Sequence, residues 1–151
     1  MKATLILADH ARVSEGKLDV LGAGWTLAGP DPVTMGIGVL IEVPWDQTNR
    51  RHSMVVRLLG EDGQLHPLPA PDGGQARGIE AHTDFEVGRP PGVTAGTAQP
   101  FALALNLAQV PLAAGRRYEW RLEIDGESQD DWRVTFQTRG ERPVAGSATS
   151  W

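Results

Sequence analysis

The stretch Pro44 to His52, "PWDQTNRRH", brings together a Trp, an Asp, an Asn, two Arg and a His. Guanidinium forks grip carboxylates and phosphates, carboxyl and amide groups exchange hydrogen bonds, and an indole offers a flat apolar face. Trp45, Asp46, Asn49, Arg50, Arg51 and His52 are therefore the candidate residues for a peptide partner, an anionic ligand or a sugar. The same residues also have a scaffolding use. Pro44 ends a strand by removing an amide donor, Asp46 can accept from the backbone just beyond it, and Thr48 and Asn49 favour a compact turn. In that reading Trp45 packs over the end of the fold, and Arg50 or Arg51 stacks on an aromatic ring or pairs with Glu42 or Asp46. Scaffolding is preferred, because a polar turn must satisfy its backbone groups whatever the protein does.

Other constellations point less far. His82 and Asp84 lie two apart on a strand and share a face, but a metal site would need a third ligand that the spacing does not supply. With Glu80 and Glu86 they read more simply as a solvated strand face that pairs with arginines across the sheet. "LDVLGAGWTLAG" begins like a dinucleotide fingerprint, yet Gly29-Pro30-Asp31-Pro32 stops any helix that could hold a pyrophosphate, so Gly22 and Gly24 are expected to bend a strand. Ser128 in "GESQD" lacks the glycine pattern of a nucleophile elbow and is expected in a turn. No catalytic residue, metal or cofactor is expected. The chain has no cysteine, so disulfides, thiolate metal sites and thiol nucleophiles are excluded.

The elements that must position these residues are strands. Tyr118, Trp120, Leu122 and Ile124 alternate with Arg117, Glu119, Arg121 and Glu123, and Trp132, Val134, Phe136 and Thr138 alternate with Arg133, Thr135 and Gln137. "DGESQD" joins the two runs as a hairpin. The same period marks "ATLILAD", "KLDVLGAGW", "IGVLIEV", "SMVVRLLG", "GIEAHTDFEV" and "FALALNL". About eight short strands separated by Gly/Pro turns predict an all-β protein, a two-layer antiparallel sandwich of immunoglobulin-like arrangement. "PLAAGRRYEW" resembles the approach to a late strand in such sandwiches. Ala102 and Ala104 are small and apolar on the outward side of "FALALNL", so that face is expected to lie under a loop of the same chain or under a second subunit. The sandwich is expected over 1–139, with long loops at 65–78 and 88–100 and a flexible tail over 140–151.

The 151 residues suit one domain, and 18 Gly with 11 Pro suit many turns. Fourteen basic against 19 acidic residues leave a net charge of -5, which argues against nucleic acid and anionic membranes as partners. The apolar run Ala3–Ala8 is too short for a signal sequence or a membrane span, so a cytoplasmic protein is expected.

"LADHARVSEGKLDVLGAGW", "LIEVPWDQTNRRHSMVVRLL" with "EDG", and "PLAAGRRYEWRLEIDG" together resemble an uncharacterised family of small single-domain proteins of high-GC actinobacteria. The resemblance implies a shared β fold and a bacterial cytoplasmic setting, and no activity. The resulting expectation is a non-enzymatic binding or interaction module with a protein partner or with self-association. A sugar or small-molecule binder built on the 44–52 loop is the first alternative, and a metal-dependent hydrolase at His82 and Asp84 the second.

Overall fold

Each alternating run becomes a strand. The computed structural model describes residues 1–68 and 77–141. Most of the tail expected over 140–151 and the middle of the loop expected over 65–78 lie outside the described residues. In chain order the first strands are β1 (Lys2–Ala8), β2 (His10–Ser14), β3 (Lys17–Leu21), β4 (Leu27–Ala28) and β5 (Val33–Val43). After a single 3-10 turn at Trp45–Gln47 come β6 (Arg51–Leu59), β7 (Pro67–Leu68), β8 (Arg77–Gly78) and β9 (Glu80–Glu86). The last are β10 (Gln99–Val110), β11 (Arg117–Ile124) and β12 (Arg133–Thr138). The eight expected runs correspond to β1, β3, β5, β6, β9, β10, β11 and β12. The pattern missed β2, whose two apolar residues are Ala11 and Val13, and the two-residue strands β4, β7 and β8, which are too short to show any period.

Three strands in the order β1-β5-β10 form one sheet, and five in the order β4-β12-β11-β6-β9 form another; β2-β3 and β7-β8 are separate hairpin ladders. All pairings are antiparallel except that of β4 with β12. The inward rows of both large sheets meet in one apolar core that includes Leu5, Leu7, Ile37, Ile41, Val56, Leu58, Trp120, Leu122, Trp132 and Phe136. On β5 the residues Met35, Ile37, Val39, Ile41 and Val43 are each at most 1% exposed. Burying side chains of this size stabilises by about 1.5–3 kcal/mol apiece, so β5 is the strand around which the smaller sheet is built.

The other face of β5 carries Gly36 and Gly38 where a half-solvated strand would carry polar side chains. The β2-β3 hairpin lies directly on them. A Cβ at Gly36 would stand 2.7 Å from the Ala11 amide nitrogen and 2.8 Å from the His10 carbonyl carbon, and one at Gly38 would stand 2.7 Å from Leu18 Cδ2. Asn106 on β10 fastens the hairpin: its side-chain oxygen accepts from the Ala11 N–H (3.0 Å), and its amide donates to the Ala11 carbonyl (2.7 Å). A hairpin from the same chain, not a loop, thus covers part of the face on which Ala102 and Ala104 sit. Leu40 on β5 stays 40% exposed, and Val13, on the hairpin side that faces the sheet, 42%.

Gly22 and Gly24 turn the chain after β3 with φ of 66° and 97°, and no helix follows them. Ser128 is a turn residue whose hydroxyl donates to the Leu122 carbonyl at 2.7 Å. At the start of β11 the Tyr118 hydroxyl accepts the Ala113 N–H at 2.8 Å.

The two glycines of β5 differ in what they forbid. Gly36→Ala forces backbone to move and should cost about 1–3 kcal/mol, whereas Gly38→Ala meets the end of a mobile Leu side chain and should cost clearly less. Urea denaturation of both variants tests this; equal losses would mean that the hairpin does not sit on β5 by its backbone.

Candidate functional site

The 44–52 segment closes one end of the fold between β5 and β6. The Arg89 guanidinium lies 3.7 Å from the centre of the Trp45 ring. Its Nη2 donates to the Trp45 carbonyl (2.6 Å), and its Nε to Thr48 Oγ1 (2.7 Å). The buried Thr48 in turn donates its hydroxyl to the same Trp45 carbonyl at 2.7 Å. Asn49 takes a positive φ of 57°, a conformation that Asn tolerates better than most residues, and its N–H donates to the Val87 carbonyl. The segment is thereby tied to the chain just after β9 at two points.

Sequence reading expected an arginine on an aromatic ring, and one is present, but it is Arg89 and not Arg50 or Arg51. The physical reason is position. Arg50 and Arg51 leave the turn exposed, with no side-chain hydrogen bond or ion pair among the described residues, while Arg89 returns from the β9–β10 connection over the indole. Asp46 and Asn49 are also exposed. Trp45 is half-buried beneath Arg89.

His52 behaves differently from its neighbours. It is 2% exposed and tilts against the Phe85 ring at 5.2 Å. Nδ1 lies 2.6 Å from Asp125 Oδ2, and Nε2 lies 2.8 Å from the Gln47 carbonyl. The ring thus bridges a carboxylate on one side and a backbone carbonyl on the other. The second Asp125 oxygen accepts the Ser53 N–H at 2.9 Å. Burial pulls the Asp125 carboxyl up, but hydrogen bonds from His52 and Ser53 and the fields of His52 and Arg50 outweigh it and hold the group below the ordinary carboxylate value. His52 therefore locks the β5–β6 turn to the β11–β12 turn. Asp125 was not legible as its partner, since 73 residues separate the two and no local spacing joins them.

On the outer face of the five-stranded sheet, register aligns Arg133, Arg121 and Arg57 across three strands, ending at Glu80. Arg57 pairs with Glu80 (2.9 Å) and Glu123 (2.6 Å), while Glu119 is shared by Arg121 (2.9 Å) and Arg133 (3.3 Å). His82 pairs with Glu80 at 2.8 Å, and this contact, with that of Arg57, holds the Glu80 carboxyl below its usual value. The expected pairing of the β9 face with arginines is present at Glu80. Among the described residues no group of three or more His, Cys, Asp or Glu side chains converges on a point that could hold a metal ion. A broad open concavity of about 810 Å³ spreads over this face beside Leu59, Arg117, Glu119 and Thr135. No spacing in the sequence revealed it, because it depends on which strands lie side by side.

The edges of the two large sheets complete the picture. β4 is two residues long, β9 carries Glu80, Asp84 and Glu86, and β1 carries Lys2 and gives its Leu7 carbonyl to the Gly24 N–H. Each is a known way of blunting an edge. β10 has twelve residues, no charged side chain, and pairs only with β5 among the described residues. Its inward residues Phe101, Leu103, Leu105 and Leu107 are all only half-buried, with Phe101 stacked on Phe85 at 4.6 Å.

The molecule is thus an all-β protein with a locked turn at one end and, along β10, an uncharged sheet edge that carries Pro100 near its start and a bulge after Leu107. The chain belongs to DUF6941, a family of unknown function, which it matches over residues 3–137, from β1 into β12. No curated protein and no solved structure matches it. No helix among the described residues is long and apolar enough to cross a membrane.

Asp125→Ala should destabilise by about 1–3 kcal/mol, because it strands His52 and the Ser53 N–H. Arg50→Ala and Arg51→Ala should each stay within about 0.5 kcal/mol of the parent. The folded Asp125 carboxyl sits below its unfolded value, so its stabilisation is present above about pH 4 and is lost as the pH falls through the folded value. Denaturation across the acid range should show a shallower pH dependence for Asp125→Asn; an unchanged slope would show that the pair does not carry it.

Proposed function

We propose that this protein is a non-enzymatic interaction module, an immunoglobulin-like sandwich that accepts a strand from a protein partner along the free edge of β10. The observation that carries the reading is that edge. An uncharged strand with half-buried leucines, its second side unpaired among the described residues, offers a row of backbone donors and acceptors plus apolar pockets, the combination used in strand addition. The other edges are charged, short or partly capped. The Tyr118 hydroxyl bond to the backbone five residues earlier supports the immunoglobulin-like part of the reading, since such a corner recurs in those sandwiches. The reading keeps the bacterial, cytoplasmic setting that the family resemblance implies.

The alternatives have less behind them. A ligand site on the 44–52 loop would need the Trp45 face and the His52 nitrogens, and Arg89 and Asp125 with Gln47 occupy these. Metal-dependent hydrolysis at His82 and Asp84 would need a third ligand, and none converges on them among the described residues.

A soluble peptide carrying the sequence of β10 supplies a strand directly. It should bind saturably to dilute protein and slow amide exchange at Ala102, Ala104 and Asn106, while a scrambled peptide should not. Binding that leaves those amides unprotected, or no binding, would overturn the reading.

A further inference from the structure

We infer that the strand received by β10 is the β10 of a second copy, paired antiparallel about a two-fold axis through Ala104. The inference rests on the strand-addition reading and adds the partner and the register.

The first observation is the order of residues in β10. Read from both ends towards Ala104, "FALALNL" matches Phe101 with Leu107, Ala102 with Asn106 and Leu103 with Leu105, all within the regular part of the strand that ends at a bulge after Leu107. An antiparallel pair about a two-fold axis opposes those same positions, so a near-palindromic strand is complementary to itself. Large apolar residues then face large apolar residues on the inner side, and small ones meet small or neutral ones on the outer side. An axis through Leu103 would set Asn106 against Pro100, which has no N–H to give, and one through Leu105 would set Ala102 against Ala108, inside the bulge that follows Leu107.

The second observation is Pro100. It has no N–H to give β5, although it lies opposite Glu42 there. Proline is tolerated on an edge strand when its nitrogen faces away from the neighbour. Backbone groups on a strand alternate sides, so Ala102, Ala104 and Asn106 direct their N–H and C=O outward. About the Ala104 axis these residues oppose one another: Ala104 meets its mate, and Ala102 meets Asn106. Each opposed pair can exchange both of its hydrogen bonds.

The third observation is charge. Two molecules of net charge -5 repel, and the strip least opposed by that repulsion is one without charged groups. β10 has none over its whole length, unlike the β9 edge with its three carboxylates. Half-buried Phe101, Leu103, Leu105 and Leu107 of each copy lie along the seam. On the outer side, β2 packs on β10 and carries the exposed Val13. The three-stranded sheet of each molecule then becomes half of a continuous six-stranded one.

The absence of cysteine makes the register directly testable. Opposed residues in a hydrogen-bonded antiparallel pair have Cα atoms about 5.5 Å apart, within disulfide reach. Ala104→Cys should form a disulfide dimer on oxidation, reversed by reductant. Ala102→Cys should not, because its mate would lie about 13 Å away along the strands. Wild-type protein should show a reversible monomer–dimer equilibrium in sedimentation, and Ala102→Glu should weaken it about tenfold or more with the melting temperature little changed. A wild-type protein that is monomeric at every concentration yet binds the β10 peptide would overturn this inference while leaving the proposed function standing. A dimer that Ala102→Glu does not weaken would overturn the seam, and cross-linking through Ala102→Cys instead of Ala104→Cys would overturn the register.

Discussion

Strand β5 is buried along one face from Met35 to Val43 and, at Gly36 and Gly38, in the middle of the other, by opposite means. One presents Met35, Ile37, Val39, Ile41 and Val43 to the shared core. The other presents Gly36 and Gly38, which remove side chains so that a hairpin backbone can lie against them. The rest of the smaller sheet depends on this strand. β1 and β10 are in register with it on either side, and the hairpin is held over it by Asn106 of β10. A large residue at 36 would therefore disturb the hairpin while leaving the core row intact.

Much of the fold was legible in the sequence because period-two alternation is a local signal. The inward placement of Tyr118, Trp120, Leu122 and Ile124, and of Trp132, Phe136 and Thr138, follows directly from it. Long-range pairings were not legible. Nothing near His52 names Asp125, and nothing near Ala11 names Asn106. Arg89 was hidden in a Pro/Gly-rich connection, although "GRPPG" places a single cation in an otherwise neutral loop. The free edge was half visible: the lack of charge in "FALALNL" could be read directly, whereas its position at the end of a sheet could not.

The polar groups of the molecule divide by what they hold. His52, Thr48 and Arg89 fix one end of the fold through bonds to backbone carbonyls and to Asp125. Arg57, Arg121 and Arg133 share carboxylates in a lattice on an open sheet face, where each pair contributes little because water screens it. The first group restricts conformation. The second keeps that face soluble and hard to dock against, which leaves the uncharged edge as the distinctive surface.

The clamp between Asn106 and Ala11 spans 95 residues, and this has a consequence for how the chain is made. A ribosome adding roughly 5–20 residues per second delivers Asn106 about 5–20 s after Ala11. For most of that interval β1, the β2-β3 hairpin and β5 are all made, while β10 and the amide that pins the hairpin are not. The hairpin can therefore rest on β5 before it is fastened, and the order of translation sets the earliest moment at which the small sheet can close.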